Sequence, residues 1–258
     1  MKAMVFAAGL GTRLRPLTND RPKALVEIGG RTLVEITLAR LRDFGIRDVV
    51  INAHHFAEQL IEYLERHDNF GMRIEISREE VLLDTGGGLK KAAHFFLADA
   101  GGGTSRVANS YSASHSSDPI VLHNVDVIST IDLGRMAQVH TASDALATLA
   151  VQERETSRHL IFDEHHVLCG RRIGRDATAE IVRRSRHRQA LAFAGIHIVS
   201  SRLLPKLTEQ GAFSIITSYL RLAAQGEKIL AFRADDYYWR DVGRREDLKR
   251  AEKELAEL

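Results

Sequence analysis

The chain has 258 residues, a formal net charge of +2, and a composition that is 44% hydrophobic and 27% charged. These values are ordinary for a globular protein with a sizeable core, and they exclude a strongly basic nucleic-acid-binding chain. The single cysteine, Cys169, excludes an intramolecular disulfide. No apolar stretch approaches the ~20 residues that span a bilayer. We therefore expect a cytoplasmic protein with no membrane and no nucleic-acid partner, and we expect the arginines between 183 and 188 on a solvated surface.

Strand and helix signals alternate in the first third of the chain. Residues 1–8 form an apolar run that ends in a glycine-rich turn, which predicts a buried strand followed by a loop. Thr32 and Glu35 have the spacing of a capping box, which predicts the start of an amphipathic helix that Gly45 ends. The next predicted elements are a central strand at 48–52, an amphipathic helix through 56–64 and a strand at 72–77.

The rest of the chain continues this alternation with one interruption. A stretch rich in Gly, Ser, Ala and Asn at 98–118 predicts an exposed loop insertion rather than a linker between domains. Residues 159–193 predict a β-rich excursion with turns at 163–164 and at Gly170. Further predicted strands lie at 120–124, 145–152, 228–233 and 239–242, and further helices at 201–210, 214–225 and 244–258. This order predicts one α/β domain over residues 1–258, with helices covering a mostly parallel sheet.

The glycine-rich segment at 7–16, AAGLGTRLRP, carries the strongest chemical signal. A glycine-rich turn after a first strand exposes backbone N–H groups that can hold phosphate oxygens. Gly9 and Gly11 let the backbone approach a ligand, and Arg13 and Lys23 can supply the positive charge that a triphosphate requires. The third glycine of a Rossmann fingerprint and the Gly-Lys-Ser/Thr of a Walker A loop are both missing, so neither of those motifs applies.

Two aspartates are candidate metal ligands. Asp126 follows a predicted buried strand, at the carboxyl edge where α/β folds bind ligands. Asp241 lies between Trp239 and Val242, so it is a lone charge in an apolar setting, where a carboxylate is costly unless it is paired or metal-bound. Their separation along the chain is too large for spacing to show that they meet. The alternative that each is a satisfied structural aspartate therefore stays open at this point.

Five segments together resemble the sugar-1-phosphate nucleotidyltransferases, and they occur in the order of that family. The short members, which include N-acetylmuramate-1-phosphate uridylyltransferases and mannose-1-phosphate guanylyltransferases, are the most similar. The resemblance implies a Rossmann-like three-layer α/β/α fold with a mixed central sheet, without the additional left-handed β-helix domain of bifunctional relatives. The segments are GLGTRLRPLTNDRPKAL (9–25), LLDTGGGLKKA (82–92), VLHNVDV (121–127), FAGI (193–196) and WRDVG (239–243).

The resemblance also implies roles for the matching residues. Arg13 is expected at the β- and γ-phosphates, and Lys23 between the α-phosphate and the sugar phosphate. Asp126 and Asp241 match the family's pair of Mg²⁺-binding aspartates, and Gly195 matches the glycine against which the sugar lies. The expected nucleotide-binding residues are Ala7, Ala8, Gly9, Leu10, Gly11, Thr12, Arg13, Lys23, Asp84, Thr85, Gly86, Gly87 and Asn124.

The implied reaction transfers a nucleoside monophosphate from an NTP to a sugar 1-phosphate and releases pyrophosphate. We expect UTP or GTP with an N-acetylmuramate-type or mannose-type sugar, while base, sugar and oligomeric state stay open. One alternative is a phosphocholine or phosphonate cytidylyltransferase, which shares much of the N-terminal signature. Another is a nucleotide-binding regulator without turnover, which the presence of Lys23, Asp126 and Asp241 disfavours. One departure from the family is Val125 in place of its usual glycine, and we expect this valine to narrow the space beside the metal or sugar phosphate.

Overall fold

The computed structural model describes residues 1–97, 119–174 and 177–255, so the predicted insertion at 98–118 lies outside the described residues. None of the helices in this part of the chain is long and apolar enough to cross a membrane. The helices are α1 (Leu33–Asp43), α2 (Ala57–Arg66), α3 (Asp84–Lys91), α4 (Ala93–Leu97), α5 (Leu133–Ala142), α6 (Ile215–Ala224) and α7 (Arg245–Leu255). The strands are β1 (Lys2–Phe6), β2 (Glu27–Ile28), β3 (Arg31–Thr32), β4 (Asp48–Ala53), β5 (Arg73–Arg78), β6 (Ile120–Asn124), β7 (Val127–Ser129), β8 (Ala147–Gln152), β9 (Arg158–Asp163), β10 (Leu168–Ile173), β11 (Glu180–Ile181), β12 (Arg188–Val199), β13 (Ile229–Arg233) and β14 (Trp239–Asp241).

Ten of the described strands form one mixed sheet. Its main path is β11-β10-β9-β12-β6-β1-β4-β5, and β8 joins β12 to β13 beside that path. The pairs among β6, β1, β4 and β5 are parallel, whereas β12 is antiparallel to each of its three neighbours. The mostly parallel sheet predicted from the strand–helix alternation is therefore correct for the first half only. In the second half, β9, β10, β11 and β12 pair antiparallel because short connections join them directly, with no crossover helix, whereas β8 and β13 are parallel.

Two hydrophobic clusters cover the two faces of the sheet. Along β1, Ala3 and Val5 point into one cluster, and Met4 and Phe6 point into the other, as strand geometry requires. Side chains of α1, α2, α5 and α7 complete the first cluster, and those of α3, α4 and α6 complete the second. The predicted three-layer α/β/α fold is confirmed.

The structure confirms some of the predicted helices and turns and contradicts others. The side chain of Thr32 accepts a hydrogen bond from the N–H of Glu35 at 3.2 Å, so the predicted start of α1 is correct. The predicted helix at 201–210 is only a 3₁₀ turn over Ser201–Lys206, which contains Pro205. The turn predicted at Gly170 is wrong, because this residue lies inside β10. A Cβ there would overlap the backbone of β11, so close strand packing explains the glycine.

The carboxyl ends of three parallel strands define where a ligand can enter. Phe6, the last residue of β1, lies opposite Asn52 of β4 on one side and Asn124 of β6 on the other. The chain leaves β1 towards β4 and later returns on the opposite side through β6. Such a reversal of strand order opens a crevice at the carboxyl edge, which is the usual ligand position in α/β folds. The glycine-rich segment follows β1 at this edge.

Candidate active site

The glycine-rich loop folds back on the segment that carries Lys23. Gly11 adopts φ +62°, and a Cβ at this position would meet Thr18 Cγ2 at 2.9 Å and Lys23 Cβ at 3.2 Å. The hydroxyl of Thr18 donates a hydrogen bond to the carbonyl of Gly11 at 2.8 Å. Gly11 is therefore needed both for its left-handed backbone and for its missing side chain. The fold thus holds Lys23 beside the loop, with Arg13 exposed on it.

A buried amide fixes the start of the loop. Asn52 Oδ1 accepts the N–H of Ala7 at 2.7 Å and that of Ala8 at 3.4 Å, while Asn52 Nδ2 donates to Glu79 Oε1 at 2.7 Å. Glu79 Oε2 in turn accepts the N–H of Leu83 at 2.9 Å. Ala7 and Ala8 were expected to bind the nucleotide. Their N–H groups already have an acceptor inside the protein, which competes with a nucleotide for them. Asn52 and Glu79 are site-building residues that sequence reasoning missed.

The glycines of the second motif face the protein interior. Gly86 donates its N–H to the carbonyl of Phe213 at 2.9 Å, and a Cβ on Gly86 would overlap the Phe213 ring. A Cβ on Gly87 would lie 2.6 Å from the carbonyl oxygen of Gly211. Both glycines are buried, so they allow α3 to pack closely on the chain at 211–213. The side of each glycine that lacks a side chain therefore faces the protein and not the cleft.

Asp84 and Thr85, which precede these glycines, do line the cleft. Asp84 is exposed and adopts φ +58°, an uncommon conformation for a residue with a side chain. Its Oδ1 accepts the N–H of Thr85 at 2.6 Å, and Thr85 Oγ1 accepts the N–H of Ile215 at 3.0 Å. Strained backbone of this kind is often retained at ligand sites. These two residues line the cleft together with Ala8 and Gly9 of the glycine-rich segment.

A short ladder brings Asp126 and Asp241 together. β7 pairs antiparallel with β14, and Asp241 lies opposite Val127. The N–H of Val242 also donates to the carbonyl of Asp126 at 2.8 Å. The two aspartates that lie far apart in the sequence are therefore neighbours, as the resemblance implied.

Three charged groups lie close to Gly243, and a fourth is paired with one of them. Lys23 Nζ forms an ion pair with Asp126 Oδ2, and the two side chains are only 12% and 13% exposed. A Cβ on Gly243 would lie 2.6 Å from Arg13 Nη2, 2.8 Å from Asp241 Oδ1 and 3.0 Å from Asp126 Oδ2. The apolar setting expected for Asp241 is thus wrong, because it belongs to a cluster of two carboxylates and two cations. The lack of a side chain at Gly243 leaves room for this cluster.

The environment of Asp241 disfavours its charge. Burial raises the pKa of its carboxyl group, and the neighbouring Asp126 raises it further, while the Gly243 N–H, Lys23 and Arg13 act in the opposite direction. A further cation between the two carboxylates would relieve this repulsion. No group of three or more His, Cys, Asp or Glu side chains suited to a metal occurs in the described ranges. Two carboxylates fit Mg²⁺, which commonly takes one or two protein carboxylates together with substrate phosphates and water.

Gly195 packs directly on Asn124 at the floor of the cleft. It adopts φ +74°, and a Cβ there would lie 2.8 Å from Asn124 Nδ2 and 3.0 Å from Val127 Cγ2. The register between β12 and β8 also shifts around this glycine. Val125 is 2% exposed and belongs to the hydrophobic core, so core packing accommodates most of the side chain that was expected to crowd the site.

An arginine and the tryptophan form the far wall of the same cleft. The guanidinium of Arg154 lies 3.8 Å from the ring centroid of Trp239 and donates to the carbonyl of Phe193 at 2.8 Å. The indole N–H of Trp239 donates to the carbonyl of Ala194 at 2.7 Å. Because Trp239 lies two residues before Asp241, this wall adjoins the charged cluster. Sequence reasoning singled out neither Arg154 nor its contact with Trp239.

The arrangement of a glycine-rich loop, two cations and two carboxylates at the carboxyl edge of an α/β sheet suits the binding of a nucleoside triphosphate. Residues 2–162 match the model of the nucleotidyl transferase family. The chain therefore belongs to this family, as the five sequence segments predicted, and it is an enzyme of the nucleotidyltransferase class.

Two known proteins show how the similarity extends along the chain. The N-acetylmuramate alpha-1-phosphate uridylyltransferase of Caulobacter vibrioides is 35% identical over 99% of this chain and 97% of its own length. A mannose-1-phosphate guanyltransferase of Yarrowia lipolytica is 27% identical over 96% of this chain, which spans 62% of that relative's length.

A solved structure supports the fold. A putative glucose-1-phosphate thymidylyltransferase from Bacillus anthracis superimposes with a TM-score of 0.77 over 100% of this chain and 96% of its own, at 16% identity. At that identity the similarity shows the fold alone.

Proposed function

We propose that this enzyme transfers a nucleoside monophosphate from UTP or GTP to a sugar 1-phosphate, giving a nucleoside diphosphate sugar and pyrophosphate. The convergence of Arg13, Lys23, Asp126 and Asp241 around Gly243 carries the proposal, because the reaction joins two anionic substrates. The names of the relatives support it, since one acts on N-acetylmuramate 1-phosphate and the other on mannose 1-phosphate. The higher identity to the first favours UTP and an N-acetylmuramate-type sugar.

The chemistry needs alignment and charge neutralisation more than a strong base. An oxygen of the sugar phosphate attacks the α-phosphorus of the NTP, the bond between the α-phosphorus and the bridging oxygen breaks, and pyrophosphate leaves. The attacking oxygen is already anionic near neutral pH, so no proton has to be removed from it. Lys23 is positioned to reduce the repulsion between the two phosphates as they meet, and Arg13 to bind the departing pyrophosphate.

We further propose that Asp126 and Asp241 hold Mg²⁺. The two carboxylates flank one space, and burial together with mutual repulsion raises the pKa of Asp241, both of which favour a bound cation. When bound, Mg²⁺ supplies positive charge to phosphate oxygens. Lys23 is paired with Asp126, so it stands beside the place where this charge is needed.

The phosphocholine form of the cytidylyltransferase alternative is disfavoured by the cleft. A choline group would need an aromatic face for its quaternary ammonium. The guanidinium of Arg154 lies over the ring of Trp239, so one face of this ring already carries a positive charge. An anionic acceptor suits this wall better than a cationic one.

A screen of pyrophosphate release tests the proposal. The purified protein is incubated with Mg²⁺, with each of UTP, GTP, CTP and dTTP, and with N-acetylmuramate 1-phosphate, mannose 1-phosphate, glucose 1-phosphate or phosphocholine. We expect release with UTP or GTP and a sugar 1-phosphate, and the matching nucleoside diphosphate sugar as product. Release only with CTP and phosphocholine, or no release with any pair, would contradict the proposal.

A further inference from the structure

Arg154 is a half-buried arginine whose charge lacks an acidic partner. No carboxylate in the described part of the chain lies within ion-pair distance of its guanidinium. Among the described residues its Nε is buried without a hydrogen-bond partner, and its guanidinium donates to a neutral carbonyl, that of Phe193. Burial lowers the pKa of Arg154, and the nearby Asp241 opposes this. A half-buried charge with an unused donor is costly unless a ligand completes it.

The position of Arg154 indicates which ligand group it meets. The carbonyls that accept from Arg154 and Trp239 belong to Phe193 and Ala194, immediately before Gly195. Gly195 is the residue expected to lie under the sugar, and Asp241 marks the phosphate end of the cleft. Arg154 therefore stands on the acceptor side of the reaction centre, and it lines the same cleft as Arg13 and Asp241.

From these contacts we propose that Arg154 binds an oxyanion of the acceptor and selects for it. This inference rests on the proposed function. The oxyanion is either the 1-phosphate itself or an acidic substituent of the sugar, because a guanidinium fork pairs with phosphate and carboxylate in the same geometry. Trp239 holds the planar guanidinium from one face, so the fork has a fixed orientation.

Substitution of Arg154 tests the inference by steady-state kinetics. Arg154→Met and Arg154→Lys should raise the KM for the acceptor by roughly 10- to 100-fold, the range for a lost charge-assisted hydrogen bond, with little change in the KM for the NTP. Arg40→Met is the matched control, because Arg40 is also half-buried with an unpartnered Nε and an aromatic ring beside its guanidinium, but it lines neither this cleft nor the adjoining pocket that contains Arg154. The control should leave the acceptor KM unchanged.

A binding readout separates the two sources of the oxyanion. Trp239 is the only tryptophan, so its fluorescence reports directly on the wall that Arg154 contacts. Acceptor is titrated in the presence of Mg²⁺ and a non-hydrolysable UTP analogue. If Arg154 binds the phosphate, Arg154→Met weakens N-acetylmuramate 1-phosphate and mannose 1-phosphate equally. If it binds the sugar's carboxylate, only the first is weakened, and either result supports the inference.

Two outcomes would overturn the inference. One is unchanged affinity for both acceptors in folded Arg154→Met and Arg154→Lys, with folding checked by circular dichroism. The other is equal weakening in Arg40→Met, which would make the effect structural. A protein that binds acceptor through Arg154 but releases no pyrophosphate with any substrate pair would instead retain this inference and contradict the proposed function.

Discussion

Asp126 and Asp241 face one space together with Arg13 and Lys23. We expect Asp126→Asn and Asp241→Asn each to lower kcat by roughly 10²-fold or more, about 3 kcal/mol of transition-state stabilisation, because each removes a carboxylate from the metal pair. Asp236→Asn, at an exposed carboxylate in the same segment, is the control. Turnover is measured with Mg²⁺ and with EDTA. Near-normal turnover of either variant in EDTA would end the metal hypothesis.

Arg13 and Lys23 differ in exposure and in their contacts within the cluster, so their substitutions should differ. Lys23 is paired with Asp126, where the two phosphates are proposed to meet, and their repulsion is greatest in the transition state. Lys23→Ala should therefore lower kcat with little change in NTP affinity. Arg13 is exposed on the loop, and its loss should weaken NTP binding and kcat together. Calorimetry measures the NTP affinity of each variant, and steady-state kinetics measure its kcat. Loss of NTP binding with retained kcat in Lys23→Ala would contradict these roles.

At the scale of elements, a side-chain network connects two loops to the ends of β4 and β5. Asn52→Ala would leave the N–H of Ala7 without its partner and Glu79 without its amide donor, all of them buried. We expect a loss of about 2–4 kcal/mol of unfolding free energy and a raised KM for the NTP, because the loop loses its anchor. Urea unfolding and kinetics test this. Gln59→Ala, which breaks an exposed hydrogen bond to the backbone of Asp20, should change neither.

The sequence predicted these elements unevenly, for physical reasons. The order of β1, α1, β4 and α2 was evident because apolar periodicity and capping residues are local signals. The pairing of β7 with β14, which joins Asp126 to Asp241, depends on strands of three residues each and far apart in the chain. Such a contact leaves no local pattern, so only the resemblance indicated it. Asn52 and Glu79 were missed because a single polar residue at a strand end has no diagnostic spacing.

At the scale of the whole molecule, the reversal of strand order beside β1 places both walls of the cleft. The first half of the chain supplies the glycine-rich loop and Asp84 at the carboxyl edge of parallel strands. The second half supplies the antiparallel strand β12 with Gly195, and the Arg154–Trp239 wall. The proposed nucleotide and acceptor sides therefore coincide with the two halves of one sheet.

The core of this sheet also predicts how stability depends on pH. His123 and His197 are fully buried next to each other in the core, and burial lowers their pKa values to about 4 and about 3. In the unfolded chain both titrate near pH 6.5. Between these values the unfolded state binds protons that the folded state does not, so stability falls as the pH falls below about 6.5. Each histidine contributes a slope of about 1.4 kcal/mol per pH unit in that range.

We therefore expect the unfolding free energy to be lower at pH 5 than at pH 7 by about 2 kcal/mol for each of these histidines. The raised pKa of Asp241 acts in the opposite direction, because a folded state that binds more protons gains stability as the pH falls. The His197→Asn variant measures the contribution of His197 alone. Whatever its stability at pH 7, its unfolding free energy should fall less between pH 7 and pH 5 than that of the wild-type protein. His67→Gln, at an exposed histidine, should keep the full dependence. Urea unfolding at the two pH values measures each difference. A wild-type protein equally stable at both, or an unchanged slope in His197→Asn, would show that these buried imidazoles do not control the acid sensitivity of the fold.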